Sequence, residues 1–123
     1  MPTATRTQIK NFLNFCLLIA PDSFYLVHTD KNDKTIKELG FNYLIVREII
    51  LSLSVEDYSD GPCQDRIYKG DVWMFGVVID NREIYIKLQL SSYNDPGEKK
   101  PTLFCISFHF AEQKISFPYK NII

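Results

Sequence analysis

Tyr85, Lys87, Ser107 and His109 are the side chains in this sequence best suited to do chemistry together. A histidine ordinarily titrates near neutrality, so it can take or give a proton. A lysine can hold a phosphate as a point charge, and a tyrosine can donate a hydrogen bond to developing negative charge. Period-two patterning brings the four together. Over residues 83–91, Ile84, Ile86, Leu88 and Leu90 alternate with Glu83, Tyr85, Lys87 and Gln89. Over residues 103–110, Phe104, Ile106, Phe108 and Phe110 alternate with Leu103, Cys105, Ser107 and His109. If the two strands pair, both apolar faces meet the core and the polar faces coincide. A solvated sheet face would show the same alternation without any purpose, and pattern alone does not choose between the two.

Further candidates flank this pair. Asp65 and Arg66 fall in residues 59–71, which read as a loop marked by Gly61, Pro62 and Gly70. Loops carry binding residues more often than their length suggests, although a surface ion pair would look the same. Trp73 and Phe75 alternate with Val72 and Met74, so that strand is expected to be covered on both faces. Trp73 is then either a core residue or a ring on which a base stacks. His28 reads as partly buried, and Lys99 and Lys100 as solvated loop residues. No Gly-rich phosphate loop, GxSxG or HExxH motif occurs, and the two histidines lie far apart. No metal site and no cofactor are therefore expected.

The elements that must position these residues divide the chain into a helical front and a β back. Ile9, Phe12, Leu13, Cys16 and Leu17 recur at helical spacing until Pro21 and Asp22 stop the helix. Residues 24–29 read as a short strand or connector. A charged helix follows over Asp30–Leu39, with Gly40 at its C-terminal cap. Asn42 caps a third helix whose stripe is Val46, Ile49, Ile50 and Leu53. Ser54 and Asp57 suggest a capping box on a last turn. Strands are expected over 72–80, 83–91 and 103–110, with a turn at Asn81 and Arg82 and a polar loop over 92–101. Residues 116–119 are expected to add a short extended piece. Helices followed by an antiparallel meander make an α+β protein.

With 123 residues, 46% of them hydrophobic, the chain fits one domain spanning 1–123 and one useful core. A net charge of −1 argues against a dedicated nucleic-acid coat, though not against a local basic patch. Cys16, Cys63 and Cys105 are odd in number and show no zinc or redox spacing, so reduced thiols in a cytoplasmic protein are expected. The apolar run over 12–20 is too short to span a bilayer, and no signal peptide is visible.

Several blocks, taken in order, resemble a known family. GPCQDR, VWMFG, EIYIKLQL, CISFH followed by AE, and FPY are similar to the MqsR-like toxins of bacterial type II toxin–antitoxin systems, within the wider RelE-like group. KELGFN and REIILSLSVEDY match the helix pair that precedes these blocks, and the likeness is strongest from Leu39 to Pro118. The resemblance implies a RelE-like fold, with N-terminal helices packed on a curved antiparallel C-terminal sheet. It implies metal-independent cleavage of mRNA, in which a ribose 2′-hydroxyl attacks the adjacent phosphate, and neutralisation by a cognate antitoxin. Tyr85 matches the family's functional tyrosine, and His109 stands where a functional lysine is usual. Asp60 and Met74 replace a lysine and a glutamine. Taken with the strand and loop candidates above, the expected set is Tyr85, Lys87 and His109 for catalysis, with Asp65, Arg66, Trp73 and Ser107 for substrate. Two other readings remain open: a non-catalytic RelE-like protein-binding module, and a toxin with a different target such as gyrase.

Overall fold

Helix α1, Arg6–Ile19, begins at a capping box: Thr5 Oγ1 accepts from Gln8 N–H, and Gln8 Oε1 accepts from Thr5 N–H. In this computed structural model, which describes residues 3–92 and 101–120, Ile9, Phe12, Leu13 and Cys16 are the buried stripe of that helix. Leu17, expected on the stripe, is half-exposed on the helix flank. The polar segment 93–100, including Lys99 and Lys100, lies outside the described residues.

Helix α2, Asp30–Leu39, starts at the Thr29 cap and ends at Gly40 with φ +71°, the left-handed conformation that a glycine adopts without strain. Helix α3, Tyr43–Leu51, starts at Asn42, whose side chain accepts from Ile45 N–H. Val46 and Ile50 are fully buried, as the stripe requires. A 3-10 turn over Val55–Asp57 follows, where Asp57 accepts from Ser54 N–H.

Five strands form one sheet: β1 (Phe24–Leu26), β2 (Tyr58–Gln64), β3 (Asp71–Ile79), β4 (Arg82–Ser92) and β5 (Pro101–Phe110), in the order β1-β5-β4-β3-β2. The protein is thus α+β, but its sheet is mixed rather than antiparallel. β1 pairs with β5 in parallel. β2 corrects a second expectation, since part of 59–71 is strand and not loop. Gly61 and Pro62 hide it from pattern reading, yet an edge strand tolerates both. The pairing is irregular there, stepping from Tyr58↔Phe75 to Asp60↔Met74 to Cys63↔Val72. Gly61, at φ +101°, lies so close to β3 that a Cβ would meet Val72 O at 2.6 Å. The β3–β4 turn is at Asp80 and Asn81, one residue earlier than expected, and both have positive φ as a type I′ hairpin demands.

The core lies between the helices and one sheet face. Phe75, Ile84, Ile86, Leu88, Leu103, Cys105 and Phe108 meet Ile9, Phe12, Val46 and Ile50 there. A smaller cluster of Val72, Met74 and Ile106, with Tyr68, Tyr85 and Phe104 against it, covers part of the other face. The C-terminal tail crosses that second face instead of forming the expected extended piece. Ile115 and Phe117 sit over Gly76, where a Cβ would meet Ile115 Cδ1 at 2.7 Å. Among the described residues no helix is long and apolar enough to cross a membrane.

Candidate functional site

A bulge in β5 decides which side chains reach the second sheet face. Lys87 pairs with Ser107 and Leu88 with Cys105, so Ile106 is the extra residue. Strict alternation put Leu103 and Cys105 beside Ser107 and His109, with Phe104 and Ile106 in the core. The bulge reverses the first half of the strand. Leu103 and Cys105 are fully buried under the helices, and Phe104 and Ile106 join Val72 and Met74 on the far face. Beyond the bulge the expected assignment holds, with Phe108 in the core and Ser107 and His109 on the far face.

Buried Asn32 of α2 stabilises this bulge. Its Nδ2 donates to Ile106 O (3.0 Å) and Val27 O (2.9 Å), and its Oδ1 accepts from Phe108 N–H (2.9 Å). Thr35 Oγ1 accepts from Phe110 N–H one turn later. β1 covers the edge of β5 only as far as Cys105, so α2 completes it with side chains. The sequence offers no signal for this, because an asparagine among charged residues reads as solvent-facing.

The result is a cleft of about 950 Å³, near the upper end of the ~300–1,000 Å³ usual for ligand pockets. Asp65, Arg66, Tyr85, Lys87, Ser107 and His109 all line it. Trp73 does not. It is on the core side of β3, stacked on Phe12 with ring centroids 4.5 Å apart and planes 13° from parallel. The expected substrate-stacking ring is thus a core ring: with Phe75 two residues on, Trp73 belongs to the face that packs against α1. Tyr68 and Lys114 also line the cleft and were not anticipated. Tyr68 follows Asp65 by three residues, the spacing at which an aspartate folds a loop onto itself, and this was the available signal.

Within the cleft, Tyr85 stands beside His109, with ring centroids 5.5 Å apart. His109 Nδ1 lies 3.0 Å from Phe110 O. A carbonyl only accepts, so this contact assigns the proton to Nδ1 and leaves Nε2 of the neutral ring with a lone pair. Burial raises the Tyr85 phenol above its ordinary value, against the opposing pull of Lys87, so it stays protonated at neutral pH.

Lys87 and Asp65 form a part-buried ion pair at 2.8 Å, with side chains 22% and 10% exposed. Both oxygens of Asp65 are engaged: Oδ1 takes Lys87, and Oδ2 accepts from Ile67 N–H and Tyr68 N–H, each at 2.9 Å. The Lys87 hydrogen bond is the main cause holding the Asp65 carboxyl down to about 2, with the two N–H donors adding to it. A carboxyl lowered in this way contributes stability that is complete above its unfolded value near 4 and is lost as pH falls through about 2. Urea midpoints measured from pH 5 to pH 2 should therefore fall more steeply below pH 4 for the native chain than for Asp65→Asn. Parallel curves would contradict the pairing.

Arg66 makes no ion pair among the described residues, and neither does Lys114. Lys31 bridges from α2 to Glu112 at 2.7 Å, but both are more than half exposed and the pair adds little stability. The first turn of α2, at the cleft wall, carries Asp30 and Asp33, which already complement the helix dipole. His28 also differs from expectation. It is 73% exposed and lies 3.0 Å from Asp33, outside the cleft lining.

The cysteines are all free. Burial pushes the Cys16 thiol up to about 12 and Cys105 higher still, so both are inert apolar fillers. Among the described residues no group of three or more His, Cys, Asp and Glu is arranged to hold a metal. Compared with protein-family models, with curated proteins and with solved structures, the chain finds no match.

Proposed function

We propose that this chain is a toxin-like, metal-independent endoribonuclease of RelE-like fold, similar to the MqsR-like toxins, that cleaves mRNA and is neutralised by a cognate antitoxin. The observation that carries the reading is convergence: a proton acceptor, a phenol and cations from three separate segments line one cleft. His109 Nε2 takes the proton of the ribose 2′-hydroxyl as its oxygen attacks phosphorus. The bond from phosphorus to the 5′ oxygen breaks and that oxygen takes a proton from solvent water, giving a cyclic phosphate and a 5′-hydroxyl, while His109 returns its proton to solvent. The neutral Tyr85 phenol donates a hydrogen bond to the reacting phosphate and orients the scissile nucleotide. Lys87 and Arg66 balance the charge that gathers on the phosphate oxygens.

Induction in a bacterial host should arrest growth and fragment transcripts, and co-expression of the antitoxin should restore both. Normal growth with intact transcripts would sink the reading. One observation favours a second reading, a protein-binding module. An apolar groove between α3 and β3 leaves Leu44, Ile45 and Val78 39–56% exposed. A chain that binds a protein partner and leaves RNA intact would fit that reading instead.

A further inference from the structure

Asp65 stands in the cleft as a carboxylate, which is the wrong charge for a phosphate-binding surface. An acidic side chain facing a polyanion costs affinity unless its charge is used elsewhere. Here it is used elsewhere. One oxygen holds the Lys87 ammonium, and the other holds the backbone N–H groups of Ile67 and Tyr68. The side chain is 10% exposed, so little of it is left to meet a ligand. Three elements meet on this one group: strand β4 through Lys87, the loop after β2 through residues 65–68, and the apolar cluster under the cleft through Tyr68.

We infer that Asp65 is a positioning residue, not a substrate-binding one: its carboxylate sets where the Lys87 ammonium and the Arg66 loop stand in the cleft. This rests on the endoribonuclease reading for its effect on turnover and on geometry alone for the clamp itself. Arg66 lies between Asp65 and Ile67, so the clamp fixes the backbone on both sides of it. The exposed guanidinium can then reach a phosphate from a loop that does not move. Lys87 has three donors and gives one to Asp65, so the other two remain for ligand oxygens. The arrangement also explains a tolerance for acid in a site for anions. The pair is neutral as a unit, as is Lys31 with Glu112, and Arg66 and Lys114 outweigh Asp30 among the remaining lining charges.

The clamp makes the two kinetic constants separate. Asp65→Asn keeps the shape and adds one net positive charge, but it has one acceptor oxygen where the clamp uses two, so Lys87 and the loop amides cannot both be held. Substrate affinity should hold or improve, and the rate should fall about 100-fold as Lys87 and Arg66 lose their places. The test is a cycle of native chain, Asp65→Asn, Lys87→Met and the double variant. Steady-state cleavage of a short RNA is read with the NMR line shapes of Lys87 Nζ and of the Ile67 and Tyr68 amides.

The expected result has three parts. The Lys87 and amide signals broaden or shift to free-loop positions in Asp65→Asn; kcat falls with KM unchanged or lower; and Asp65→Asn costs nothing further once Lys87 is methionine. A rise in KM at preserved kcat would overturn the inference, because Asp65 would then touch the substrate. So would Lys87 and amide signals identical to those of the native chain. If the native chain cleaves no RNA, the endoribonuclease reading fails by itself, and the NMR signals still decide whether the clamp exists.

Discussion

Replacing His109 with alanine should lower RNA cleavage by about 100- to 10,000-fold, the range expected for loss of a positioned acid or base. Phe110 O lies 3.0 Å from Nδ1 and can only accept, so the proton is on that nitrogen and Nε2 is the atom free to work. The ring is held on its other side by Tyr85, whose centroid lies 5.5 Å away. Strand pairing fixes the two residues directly opposite one another. A half-buried side chain at the cleft wall contributes little to the core, so the variant should melt close to the native chain. His109→Gln should be as inactive as alanine, since an amide fills the space and forms hydrogen bonds but cannot take the proton. Cleavage by His109→Ala within a few-fold of the native rate would remove the histidine from the mechanism while leaving the endoribonuclease reading in place.

The sequence made the composition of this cleft legible and left its mechanics hidden. Tyr85, Lys87, Ser107 and His109 share a face because both strands alternate, and alternation is a local property that one chain displays openly. The helices were equally legible, since their caps at Asn42 and Gly40 and the stripe through Val46 and Ile50 lie within a few residues of one another. What failed was non-local. The bulge at Ile106 is invisible in a pattern of four alternating apolar residues, because the residue that stabilises it, Asn32, is 74 positions away. β2 was hidden by Gly61 and Pro62, which break strands in general but are accepted at an edge where a bulge is already present. Trp73 was ambiguous for a physical reason as well. β3 is apolar on both faces, so only contact with Phe12 decides which one an indole occupies. The place of Asp65 in a loop is legible, but its role depends on a lysine 22 residues away.

Asn32→Ala should be the most destabilising single substitution among those that remove no apolar core. Asn32 is fully buried, and its side chain satisfies Ile106 O, Val27 O and Phe108 N–H at once. Each buried polar group left without a partner costs about 1–3 kcal/mol, so the loss should come to roughly 3–5 kcal/mol. Against a typical stability of about 5–15 kcal/mol, that is a large fraction, and the melting temperature should fall by on the order of 10 °C or more. Loss of an exposed cap such as Asn42 should cost only about 1 kcal/mol, which makes Asn42→Ala the matched control. Asn32→Asp should fare no better than alanine. It keeps the acceptor for Phe108 N–H but brings a carboxylate against two carbonyl oxygens in a dry site. The effect should also reach the chemistry, because Asn32 pins the β5 register that sets Ser107 opposite Lys87 and His109 opposite Tyr85. Below its melting temperature, Asn32→Ala should therefore cleave RNA more slowly than Asn42→Ala at equal fraction folded. A melting temperature within about 2 °C of the native chain would show that water replaces the amide at no cost, and that the bulge holds its register without α2.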